Sequence, residues 1–168
     1  MNIESQKLLQ TLTRMARIYS VLEESLVAEG LAMEHVDVLA LGEVTQAKEA
    51  LLSEIWAAEQ ARVEQATALA ETLGIHDPNP TLSQMSARLP VDAREQISAA
   101  QRALAELLDR CRERNQGNIA LASSALERIE TMKSNILGRN GNNAENYNAQ
   151  GGRNPINEHG GRLLSERA

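Results

Sequence analysis

Leu8, Leu12, Met15, Tyr19, Leu22 and Leu26 follow one another in steps of four and three residues without a miss. That spacing lays six large side chains along one seam of an α-helix, and it does not fit the alternation of a strand. A first helix is expected from about Ile3 past Glu29, with Gly30 and the segment Met33 to Asp37 as its first break and Asp37 as the cap of the next helix. Leu41, Val44, Leu51, Ile55, Ala58, Val63, Ala66, Leu69 and Leu73 give that second helix a looser seam, ending at Gly74.

GIHDPNPT, from Gly74 to Thr81, is a dense cluster of helix breakers and marks a corner, because Pro78 and Pro80 lack donors and push the preceding residues out of the helical region. LSQMSARL follows as a short amphipathic turn, with Leu82, Met85 and Leu89 on one side. Pro90 then opens the longest helix near Val91 and Asp92. Ile97, Ala100, Leu104, Leu107 and Cys111 form a first seam of that helix, and Asn118, Ala122, Ala125, Ile129, Met132 and Ile136 form a second. RERNQGN interrupts the apolar phase between them. Polar residues at such positions lower stability but fix register, which is the structural role expected of Asn115 and Asn118, and Gly117 would let another helix approach closely. A helix of roughly 45 residues is about 65 to 70 Å long.

Composition supports the same class. The chain has 168 residues and 42% hydrophobic content, yet no Phe and one Trp, so its core is a thin aliphatic seam rather than the β-branched and aromatic filling of a sheet. The expected fold is all-α: an elongated antiparallel three-helix coiled-coil-like bundle over residues 1–137, with a flexible tail over residues 138–168. That tail contains seven Asn and six Gly, and its sizeable apolar groups are Tyr147, Ile156, Leu163 and Leu164. Such a segment cannot offset its own ordering entropy by burial. A tyrosine placed there either packs back on the body or is presented to a partner.

The net charge of −6 argues against a general nucleic-acid binder, and no apolar run is long enough to insert in a membrane. The N-terminal MNIESQKLLQ has no signal-peptide core, so a cytoplasmic location is expected. Cys111 is the only cysteine and sits on an apolar stripe, as a buried structural thiol would. His35, His76 and His159 have no reason to converge, no Glu-x-x-His pair lies in the helical body, and no phosphate-binding glycine loop follows a strand. No catalytic residue, cofactor or metal is therefore expected, and the chain reads as a non-enzyme. Arg110, Arg112 and Arg114 make no stripe on a helix, and Glu106, Asp109 and Glu113 lie within a turn to pair with them.

Four segments in order resemble the FlgN family of flagellar export chaperones. SLVAEGLAMEHVDVLALGEVTQAKEALLSEI is similar to the family's first hairpin, with Lys48 followed by Leu51 and Leu52. TLSQMSARLP and ERNQGNIAL come next, the latter with Asn115 and Asn118, and NYNAQGGR resembles the family's tyrosine-then-glycine tail element. One departure is Asn148, where the resemblance leads one to expect an acid directly after the tyrosine. The resemblance implies a cytoplasmic chaperone that binds hook-associated proteins before secretion and delivers them to the cytoplasmic domain of the export gate.

The candidate partner-binding residues are Ile129, Met132, Ile136 and Leu137 on the last helix and Tyr147, Leu163 and Leu164 in the tail. An apolar stripe at the end of a long helix can complete a bundle with a partner's amphipathic helix, and it can equally pack within its own chain or a weak homodimer. A coiled-coil scaffold or adaptor without cargo is the alternative. It would show a uniformly filled seam and a stable homo-oligomer, whereas a chaperone would leave an apolar patch unfilled.

Overall fold

The computed structural model describes residues 2–77 and 80–142, with side chains as far as residue 137. Among these residues the regular structure is helical: α1 (Ile3–Glu34), α2 (Val38–Thr72), α3 (Leu82–Ser86) and α4 (Val91–Asn142). Tyr147, Leu163 and Leu164, with the tail from residue 143, lie outside the described residues.

Local chemistry accounts for the helix ends. Asn2 caps α1 by accepting a 2.8 Å hydrogen bond from the Ser5 amide, a cap that contributes about 1 kcal/mol. Asp37 caps α2 in the same way, at 3.0 Å from the Ala40 amide, after Val36 takes a left-handed φ of 56° to turn the chain. The end of α2 is closed by Gly74, at φ 67°, and by Arg88, whose Nη1 donates to the Leu73 and Gly74 carbonyls at 3.0 and 2.9 Å. Thr81 and Gln84 form a reciprocal capping box at the start of α3. Pro78 and Asn79, within the expected corner, lie outside the described residues.

Contacts group the chain into a first unit, Met1–Ser123, and a second that begins at Ser124. In the first unit all four helices contribute to one core: Leu8, Leu12, Met15 and Ile18 of α1, Ala58, Ala66 and Leu69 of α2, Met85 of α3, and Ala93, Ile97 and Leu104 of α4. The expected α1 seam is buried, with Tyr19 half-buried against Leu22, Leu26 and Cys111. Hydrogen bonds from Cys111 to the Tyr19 carbonyl and from Asn118 to the Leu26 carbonyl share a sequence separation of 92. Both helices advance by one heptad between these contacts, so α4 runs parallel to α1 and in phase with it.

Expectations change at Gly30, Val63 and Gly117. Gly30 is no break: α1 continues through it to Glu34, since one helical glycine costs only about 1 kcal/mol and the apolar phase carries on to the buried Ala32. Val63 is exposed, while Arg62 takes the in-phase seam position, half-buries its stem and pairs with Glu59 at 2.6 Å. The close helix approach occurs at Gly30 rather than Gly117, because a Cβ on Gly30 would lie 2.9 Å from Asn118 Oδ1 and one on Gly117 would meet nothing within 4 Å.

Candidate functional site: an exposed apolar face and the polar node of the first unit

Within the first unit, Glu29, Lys48 and Asn118 join three helices. Lys48 Nζ on α2 reaches both Glu29 carboxylate oxygens on α1, at 2.7 and 2.8 Å. Asn118 on α4 donates from Nδ2 to Glu29 Oε2 at 2.9 Å and to the Leu26 carbonyl at 2.8 Å. Glu29 is almost fully buried, so the lysine and amide together supply what water would otherwise give its carboxylate. The sequence marked Asn118 as a register residue and Lys48 as part of the hairpin resemblance. Glu29 went unmarked, because a single sequence carries no sign of a pairing made across helices. Asn115, expected to share the register role, is exposed.

Cys111 is buried and donates weakly to the Tyr19 carbonyl at 3.4 Å. Burial pushes its thiol above the usual range, helped by the Glu23 charge and opposed by Arg110. Burial also raises the Tyr19 phenol, with Glu59 and Cys111 adding to the shift and Arg112 opposing it. Of the three arginines near this point, Arg110 pairs across helices with Glu23 at 2.9 Å and Arg112 pairs with Asp109 at 2.9 Å. The Arg110 pair replaces the within-helix pairing expected from sequence. His35 Nδ1 lies 2.8 Å from the Leu31 carbonyl at the end of α1, and no group of three metal-ligating side chains occurs among the described residues.

The second unit carries the C-terminal part of α4, from Ser124 to Asn142. Its Leu126, Ile129, Met132, Ile136 and Leu137 are each between 60% and 66% exposed. The four α4 candidates named from sequence therefore share one helix, and none is packed away. Ala125, Ile129, Met132 and Ile136 keep the four-and-three spacing, and Leu126 widens the stripe at its edge. Leu126 was missed because it lies one position off the strict seam. An apolar face of this width, open to water, is the usual mark of an interaction surface. A further exposed apolar group, Leu52 and Trp56, stands on α2 in the first unit, with Trp56 69% exposed.

Fold and face define the class: an all-α bundle protein whose last helix presents an exposed apolar stripe. A family model described as FlgN protein matches residues 1–155, and the chain belongs to the FlgN family, a family of flagellar export chaperones. No curated protein and no solved structure matches it. No described helix is long and apolar enough to cross a membrane.

Proposed function

We propose that this chain acts in the cytoplasm as a chaperone for hook-associated proteins, covering their terminal helices before secretion and delivering them to the cytoplasmic domain of the flagellar export gate. The observation that carries this reading is the exposed stripe Ile129, Met132, Ile136 and Leu137 in a chain of the FlgN family. An amphipathic helix laid along that stripe would lose its own apolar face from water, which is how a chaperone keeps a sticky helix from associating elsewhere. Residues 1–137 serve as the helical body in this reading. Residues 138–168, of which the first five continue α4 to Asn142, serve as a tail that presents Tyr147, with Leu163 and Leu164 adding apolar contact. The cargo-bearing protein is a monomer or at most a weak homodimer.

Pull-down of the full chain from an extract of flagellated cells tests the reading. Stoichiometric recovery of a hook-associated protein, lost when residues 130–168 are deleted, is the expected result. Unchanged recovery after that deletion would put the cargo site elsewhere.

A further inference from the structure

The charges beside the stripe say what kind of helix fits it. Placing Ile129 and Ile136 at heptad position a and Ala125 and Met132 at d puts Leu126 and Lys133 at e, and Arg128 and Asn135 at g. Glu127 then falls at f, turned away from the seam, and Glu130 at b, outside the e row on the same line as Leu137. Although the chain as a whole carries a net charge of −6, the e and g positions that flank this a/d seam hold two cations and no carboxylate. Arg128 and Lys133 are both exposed, and neither enters an ion pair among the described residues.

We infer that the α4 face is built for a partner helix whose apolar seam is bordered by acidic residues, and that it disfavours a second copy of this chain. The inference rests on the chaperone reading above and names the chemistry of its cargo segment. In a parallel pair, g of one helix meets e of the next heptad on the other, so two copies in register would set Arg128 against Lys133, twice by symmetry. In an antiparallel pair e meets e and g meets g, and again cation meets cation or a neutral group. No e or g contact through this seam offers a copy an opposite charge. An acidic-bordered helix meets a favourable charge at both positions, so the basic border attracts such a helix and rejects self-association with the same two side chains. The small Ala125 at d leaves room for a large apolar side chain opposite it.

The test titrates the full chain with three synthetic amphipathic helices that share an Ile/Leu seam and carry Glu, Lys or Ser at e and g. The Glu helix should bind about tenfold more tightly than the Lys helix at low salt, with the gap narrowing as salt rises. The double variant Arg128→Glu, Lys133→Glu, exposed and therefore expected to fold normally, should reverse the order. Equal binding of all three helices, abolished by Ile129→Asp, would overturn the charge inference and leave the chaperone reading standing. Failure of every helix to bind, or binding indifferent to Ile129→Asp, would overturn both. Glu-helix binding that appears only once residues 143–168 are removed would make the chain's own tail the occupant. A dimer by sedimentation, broken by Ile129→Asp, would make it a second copy; either result ends the inference.

Discussion

Asn118 of α4 and Glu29 of α1 are joined by a 2.9 Å hydrogen bond, and the same amide nitrogen also holds the Leu26 carbonyl. A short polar side chain thus fixes the heptad register between two parallel helices, while Lys48 from α2 neutralises the acid beneath it. Asn118→Ala should lower stability by roughly 1–3 kcal/mol in urea unfolding, because it removes one of the two side chains solvating a buried carboxylate. Asn118→Asp, of nearly the same size, should cost more by adding a second anion beside Glu29. An Asp variant as stable as the Ala variant would contradict the charge assignment of the node.

Two glycines should respond to alanine with opposite sign. Gly117→Ala meets open space and should stabilise α4 by up to about 1 kcal/mol. Gly30→Ala has the same helical preference in its favour, but its Cβ would press within 2.9 Å of Asn118 Oδ1, on a side chain pinned by its own hydrogen bonds. It should be destabilising, and less so in the Asn118→Ala background. Thermal unfolding of Gly117→Ala beside Gly30→Ala checks the sign, and wild type, Gly30→Ala, Asn118→Ala and the double variant, read as a double-mutant cycle, check the coupling.

Alkaline pH should weaken the fold through Cys111 and Tyr19, both pushed up mainly by burial. Above the ordinary thiol pKa the unfolded chain gives up its proton while the folded chain still holds it, so the folded state binds more protons and stability falls as pH rises. Urea midpoints across the alkaline range should decline, and Cys111→Ala should flatten the first part of the decline. A midpoint independent of pH there would be inconsistent with the buried thiol.

Much of this could be read from the chain itself. The α1 seam, the Asp37 cap, the Pro90–Val91 helix start and the buried thiol follow from spacing and turn chemistry acting within a few residues. Failures arose where the deciding contact lay across the bundle. Gly30 looks like a break until Asn118 is seen to need its missing side chain, and Val63 looks like core until phase, rather than hydrophobicity, gives the seam position to Arg62. On α4, spacing identified Ile129, Met132 and Ile136 as a stripe but left open whether the chain covers it, because burial depends on which helices reach that far. Within the polar node Asn118 was legible as a register residue, but the Glu29–Lys48 pair was not, for the same reason: the two are 19 residues apart and indistinguishable from surface charges by composition.

In the proposed function the tail tyrosine serves the delivery step. Tyr147→Ala should leave helix content and cargo binding unchanged and weaken binding to the cytoplasmic domain of the export gate at least about tenfold, the scale of burying one large ring. Circular dichroism and a gate-domain titration read the two effects apart. Equal gate binding by variant and wild type would remove Tyr147 from the mechanism.

The most direct measurement is the affinity of purified hook-associated protein for the full chain and for the variant Ile129→Asp, Ile136→Asp, alongside the thermal unfolding of each chain alone. Both positions are exposed, so the unfolding curves should agree within about 0.5 kcal/mol, while the loss of two buried side chains at the interface should weaken cargo binding by roughly a hundredfold or more. Equal affinity of the two proteins for the cargo would contradict the assignment of the α4 face as the cargo-binding surface.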